Sequence, residues 1–224
     1  METTPRFEVI IPVVNIDLMQ ELLTSIDNNT LLPTAIHIIN NTGQQFRYLN
    51  FIIIPNITYN VYNSKTGLVN ESINLGISKV SGDCDYVTIL NDDILLNSNF
   101  FKRIADTFNE FGNCGCVCPR QVFKKEELKE GPISYTSMRR REGPAMTFKK
   151  SVLDTLPPIP HERIATFYGD DWFWRHCYKR GFPWFRDLGN VVFHHVGSSI
   201  LKLGFRAHKK KEWNEWQKIK AELL

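Results

Sequence analysis

The chain has 224 residues, with 27 Lys+Arg against 24 Asp+Glu and a formal net charge of +3. That length suits one domain with a full core, or one domain with a modest appendage. At 42% hydrophobic and 23% charged, the composition excludes disordered and fibrous classes. The longest apolar runs, Val9–Val14 and Phe51–Pro55, fall far short of the ~20 residues that a membrane-spanning helix needs. The opening METTPRFEV lacks the basic-then-apolar pattern of a secretory signal, so a soluble, cytoplasmic protein is expected.

Phe7–Val14 is an apolar, β-branched run closed by Asn15, the pattern of a buried strand. Met19, Leu22, Leu23 and Ile26 then recur at helical spacing, and the helix stops near Asn28-Asn29. Ala35–Ile39 reads as a second strand running into Asn40-Asn41-Thr42-Gly43, and Phe51–Ile54 as a third apolar run ending at Pro55. Val69, Ile73, Ile77 and Val80 form a helical stripe ahead of Ser81-Gly82. Tyr86–Leu90 is a short strand that leads straight into Asn91-Asp92-Asp93. Phe101, Ile104, Ala105, Phe108 and Phe111 mark another amphipathic helix, and Cys114–Cys118 the next strand. The second half is less regular. Lys124–Pro132 reads as a charged loop or short helix, and Pro157-Pro158-Ile159-Pro160 as an ordered loop that no helix interior tolerates. Gly169–Arg180 is a helix opened by two aspartates and stopped by Gly181. Val191–Phe193 is strand-like and ends in His194-His195, and Trp213, Trp216, Ile219 and Leu223 share one face of a terminal helix.

Strand–helix alternation with short connections predicts an α/β fold, a mostly parallel sheet flanked by helices. In such sheets ligands bind beyond the carboxyl ends of the strands, which gathers Asn15, Asn40, Asn41 and Asn91–Asp93 on one edge. The five cysteines (84, 114, 116, 118 and 177) form no C-x-x-C pair. Three of them alternate along one strand, so buried reduced thiols are expected rather than a zinc site. From Lys202 onward there are seven basic and three acidic residues, so the positive excess lies in the tail.

Three clusters carry chemistry. Adjacent carboxylates in Asn91-Asp92-Asp93, at the end of a buried strand, repel one another and are tolerated best beside a cation. Oxygen ligation completed by waters or phosphates suits Mg2+ or Mn2+. Asp170-Asp171, at a helix start before Trp172-Phe173-Trp174, serves either as capping and dipole compensation or as a general base in a cleft. His194 and His195 point to opposite faces of a strand, so at most one of them meets the site.

Taken in this order, the motifs resemble the GT-A fold glycosyltransferases, in particular the inverting family 2, from about Phe7 to Ser199. Val9–Asn15 is similar to the family's first strand and its base-holding loop, which implies nucleotide-sugar contacts at Pro12, Val14 and Asn15. Asn40 stands where the family has an aspartate that reads uracil, and Asn74-Leu75-Gly76 resembles its Asn-x-Gly element. Leu90–Asp93 resembles the DxD metal motif, with Asn91 at its first position, Asp92 toward the donor and Asp93 on the metal. Glu142–Met146 resembles the small-residue segment beneath the donor sugar, which brings in Gly143. Asp170-Asp171 resembles the motif whose aspartate is the catalytic base; spacing to Gly181 favours Asp170, and the Asp-Trp pair favours Asp171. His194–Ser199 resembles the late histidine motif that completes metal or diphosphate binding through His194 or His195.

The resemblance implies sugar transfer from a nucleoside diphosphate donor, a UDP-sugar, to an acceptor hydroxyl with inversion, aided by Mn2+ or Mg2+. Residues 1–201 would form the catalytic domain, 1–119 binding the nucleotide-sugar and 120–201 the acceptor, and 202–224 a basic amphipathic helix. With Arg139–Arg141 and Lys209–Lys211 as polyanion contacts, the acceptor is a glycan or a hydroxymethylated base in viral DNA. The rival readings are a sugar-phosphate nucleotidyltransferase, which needs a Gly-rich basic loop where this chain has Val13–Asp17, and a non-catalytic nucleotide-sugar or polyanion-binding module.

Overall fold

A computed structural model describes residues 4–44, 52–138, 143–195 and 206–223. Phe51, Arg139–Arg141, Glu142 and Gly197–Ser199, named above, lie outside the described residues. The elements in chain order are β1 (Phe7–Val13), α1 (Ile16–Asp27), β2 (Ala35–Asn40), β3 (Thr58–Asn63), α2 (Val69–Ile77), β4 (Tyr86–Leu90), β5 (Ile94–Leu96) and α3 (Phe100–Glu110). They continue with β6 (Cys116–Val122), β7 (Tyr135–Ser137), β8 (Ala145–Lys149), α4 (Lys150–Leu153), α5 (Gly169–Lys179), β9 (Trp184–His194) and α6 (Arg206–Glu222).

The strands form one sheet in the order β3-β2-β1-β4-β8-β6-β9-β5, with β7 paired to β9. Its first half is parallel, as expected: β1 pairs with β2 and β4, and β2 with β3. Beyond β4 the sheet is mixed. β8 enters antiparallel between β4 and β6, β6 and β9 are parallel, and β5 and β7 run antiparallel to β9. Inserting β8 in reverse brings its start, Ala145, opposite Leu90 at the carboxyl end of β4. The segment just before β8 therefore reaches the same edge as Asn91–Asp93.

Two apolar layers sandwich the sheet. Val9, Ile11 and Val13 of β1 face α1 and α3, whereas Ile10 faces the side packed by α2, α5 and α6. This is the period-2 alternation of a strand buried on both faces. Gly76 lets α2 sit against β1, because a Cβ there would overlap Ile10. All five cysteines are free and buried. Burial pushes the thiols of Cys84 and Cys114 up to about 12 and that of Cys177 up to about 11. The shared face holds for Cys116 and Cys118; β6 begins only at Cys116, and Cys114 packs in the opposite layer.

The third strand is Thr58–Asn63, and Ile52–Ile54 lies outside the sheet. Of those isoleucines only Ile54 enters the core, while Ile53 is 72% exposed. The strand at Val191–Phe193 begins seven residues earlier, at Trp184. Among the described residues no helix is long and apolar enough to cross a membrane.

Candidate active site

The carboxyl end of β4 is the centre of the site. Asp92 is 2% exposed, and its Oδ2 accepts hydrogen bonds from the backbone N–H groups of Val14 and Asn15, each at 2.6 Å. It ties the β4 end to the β1 end, where Asn15 caps α1 by accepting from the Asp17 N–H at 3.2 Å. Pro12 is buried in the β1–β2 ladder opposite Ile39.

Asp93 is equally buried, and its Oδ1 lies 3.2 Å from His194 Nε2. The register explains the meeting: β5, immediately after Asp93, pairs antiparallel with the end of β9, and the His195 N–H donates to the Asp93 carbonyl at 2.9 Å. Of the two histidines, His194 faces the aspartate. The ring of His195 packs edge-on against Phe193, its Nε2 3.9 Å from Glu21. Gln121 of β6 contacts His194 Nδ1 at 2.7 Å, a partner that sequence reasoning missed. Only its position next to the histidines on paired strands reveals it. As the amide is oriented, Nε2 carries the ring proton toward Asp93; the flipped amide would instead leave Nε2 a lone pair.

Among the described residues no group of three His, Cys, Asp or Glu is placed to hold a metal ion. With the Gln121 amide flipped, so that His194 Nε2 keeps its lone pair, one carboxylate with one imidazole fits an ion whose remaining positions are filled by substrate phosphates, the usual way Mg2+ and its analogues bind. It does not fit an all-protein cage.

Next to this pair the chain closes a short path. The Asn91 N–H donates to the Pro144 carbonyl at 2.8 Å. Gly143, the preceding residue, lies against Asp170: a Cβ on Gly143 would be 3.1 Å from Asp170 Cβ and 3.2 Å from its Oδ2. Asp170 is partly exposed and accepts from the Asp171 N–H at 2.9 Å, while Asp171 is 9% exposed. Both stand in the first turn of α5, where the helix dipole favours the ionised carboxylate.

The loop before α5 is held from two sides. On α2, Asn70 donates to the carbonyls of Ile164 (2.5 Å) and Phe167 (3.0 Å). One turn on, Asn74 donates to Ile159 O (2.8 Å) and accepts from Ile159 N (2.9 Å). The amide of Asn74 therefore serves the loop backbone; Asn70, unnoticed in the sequence, shares its face by i,i+4 spacing. From α6, Glu212 accepts from the N–H groups of Thr166 and Phe167. The last residue of the loop, Tyr168, has φ 65°, a left-handed conformation rare for a residue with a side chain. Burial, then the charges of Glu212 and Asp170, raise its hydroxyl above the ordinary value.

Asn40, 4% exposed, spends its side chain on its own turn: it donates to Gln44 O and Asn63 Oδ1 and accepts from Thr42. A cavity of about 460 Å³ opens beside it, lined by 40–44 and 63–67 at the carboxyl ends of β2 and β3.

No protein-family model and no curated protein sequence matches the chain. Solved structures do match. TarS from S. aureus superposes with a TM-score of 0.63 at 13% identity, over 88% of this chain and 38% of that one. Its 1–349 form gives 0.64 at 13% identity, over 88% and 62%. GalNAc-T7, in a crystal structure with UDP, GalNAc and Mn2+, gives 0.68 at 10% identity, over 84% and 43%. These neighbours are GT-A glycosyltransferases, and this chain has the GT-A fold. It spans between 38% and 62% of the lengths of the chains it matches.

Proposed function

We propose that this chain is an inverting glycosyltransferase, moving a sugar from a nucleoside diphosphate to an acceptor hydroxyl. The observation that carries the reading is the unbroken path from Asp93–His194, through Asn91–Pro144, to Gly143–Asp170. It joins an aspartate–histidine pair, a side-chain-free glycine and a carboxylate at a helix start. Likeness to a protein crystallised with UDP and Mn2+ supports a UDP-sugar donor and a divalent metal.

Asp93 and His194 would hold Mn2+ or Mg2+, which neutralises the charge growing on the leaving diphosphate. Asp92 keeps the β1 and β4 ends together where the donor lies, with Val14 and Asn15 at its rim. Asp170 is the better base than Asp171, being less buried and directly against Gly143. It accepts the acceptor's proton as the acceptor oxygen bonds to the anomeric carbon and the bond to the diphosphate breaks on the opposite face. One displacement inverts that carbon.

A thermal-shift series with UDP-sugars and Mn2+, followed by release of UDP from any sugar that stabilises the protein, tests this reading. Metal-dependent stabilisation and UDP release that fall with Asp93→Ala are expected. Stabilisation without turnover on any acceptor or water would leave a nucleotide-sugar-binding module instead.

A further inference from the structure

Helix α6 divides its charges by direction. Glu212, 6% exposed, takes the N–H groups of Thr166 (3.1 Å) and Phe167 (2.9 Å). Glu215 and Glu222 pair with Arg163 at 3.4 and 2.8 Å. All three carboxylates of the helix are thus drawn onto the body, and Lys209, Lys210 and Lys211 stand exposed. One turn beyond Lys209, Trp213 is 50% exposed, although Trp216 beside it is buried to 1%.

The exposed indole does not stand alone. Its ring centroid lies 5.9 Å from that of Tyr168, which stacks on Trp216 at 5.8 Å and 3° and meets Phe167 at 6.3 Å. The Lys209 ammonium lies 5.6 Å from the Phe167 ring. The rings of Trp213, Tyr168, Trp216 and Phe167 therefore form one cluster with the Lys209 ammonium at its Phe167 end, and two residues beyond Tyr168 comes Asp170. One turn before Trp213 stand the exposed Lys209 and Lys210, whose ammonium groups donate hydrogen bonds and accept none. A neutral sugar needs both donors and acceptors around its hydroxyls. Phosphates need only donors and positive charge, and unpaired bases offer the flat faces that an indole stacks upon.

We propose that this shelf binds single-stranded nucleic acid, with phosphates on Lys209–Lys211 and an unpaired base on the Trp213 ring, and that this strand carries the hydroxyl offered to Asp170. The second part rests on the glycosyl-transfer reading; the first does not. A base from a duplex would have to be extruded to reach the shelf.

The test is fluorescence anisotropy of the full chain with a labelled oligo-thymidylate of about 20 nucleotides, enough to cover one such site. Unlabelled heparin serves as a polyanion without bases. Binding that weakens with salt is expected, with the slope of log K against log salt reduced by about 2 in K209A/K210A/K211A, near 0.7 per lost phosphate contact. Trp213→Ala should weaken oligonucleotide binding at least fivefold, a fair share of what one stacked base contributes, and leave heparin binding unchanged. Absent oligonucleotide binding, or equal loss of heparin and oligonucleotide in Trp213→Ala, overturns the shelf. Donor-induced thermal shifts measured on the same samples separate the two readings. A donor response without oligonucleotide binding removes only the shelf; oligonucleotide binding without a donor response removes the transferase and the strand's role as its acceptor, and leaves the shelf.

Discussion

At the scale of single residues, the site separates two kinds of carboxylate by what surrounds them. Asp92 accepts two backbone N–H groups, so it behaves as a structural bolt whose charge is already answered. Asp170 is more exposed and is approached by a residue without a side chain. Asp170→Asn is therefore expected to lower turnover by about 100-fold or more, the range for losing a general base, while the donor-induced thermal shift persists. Asp171→Asn, at the more buried position, should cost less in turnover; if steady-state kinetics rank the two in reverse, the base is Asp171. Gly143→Ala tests the contact itself. The new methyl group would be 3.1 Å from Asp170 Cβ, tighter than ordinary packing, so it must push the carboxylate aside. A tenfold or larger fall in kcat with little change in donor KM is expected, since a misplaced base slows the chemical step alone. Unchanged kcat would mean that Asp170 is not held by this contact.

At the scale of elements, the helix that reads as an appendage is part of the wall. Trp216 and Ile219 are buried in the same layer as α2 and α5, and Glu212 holds the loop that ends in the left-handed Tyr168. Glu212→Ala takes the acceptor from two part-buried backbone N–H groups, and a loss of about 1 kcal/mol is expected, the low end of the range for an unsatisfied donor. Urea unfolding measures it, and a midpoint equal to the wild type would show that the helix docks without this contact. Of the α6 face read from Trp213, Trp216, Ile219 and Leu223, Trp216 and Ile219 are buried, Leu223 is partly buried and Trp213 stands half exposed; the anchoring role of Glu212 was not legible, because its partners are backbone groups 45 and 46 residues away. The same limit runs through the fold. β1, β2, β4 and α1 announce themselves as buried runs or stripes, and the order of acidic and histidine motifs was enough to name the fold. β3 escaped because Thr58–Asn63 is a partly exposed edge strand with neither an apolar run nor a strict apolar–polar alternation, and its Val61 is itself exposed. β8 escaped because its antiparallel entry between β4 and β6 depends on pairing between segments about sixty residues apart, which no local pattern carries. The site followed suit: Asp93 and His194 were readable as types, whereas Gln121, Asn70 and the Gly143–Asp170 contact exist only once the sheet has closed.

At the scale of the whole molecule, two carboxylates fasten the parallel half and make its stability a function of pH. Glu8 of β1 meets His37 of β2 at 2.7 Å, with side chains 4% and 3% exposed, and also takes the Ser81 N–H and hydroxyl from the loop before β4. Burial alone would raise the Glu8 carboxyl; the Ser81 and His37 hydrogen bonds outweigh it and hold the group below its ordinary 4.5. Glu71 behaves alike: burial opposes, and the bonds from Ser64, Thr66 and Lys65 prevail. Surface carboxylates such as Asp83, beside Ser81 and Arg6, are lowered too, but solvent screens their effect on stability. For a group whose folded pKa is depressed, the unfolded chain binds the extra proton first. Its contribution is complete above the unfolded value and is lost as pH falls through that value and then the folded one. Urea midpoints should therefore hold steady down to about pH 5 and fall between about pH 5 and pH 3. Glu8→Gln should lower the midpoint at neutral pH and flatten that acid limb, since the group that takes up the proton is gone. An acid limb as steep in Glu8→Gln as in the wild type would move the pH sensitivity elsewhere in the molecule.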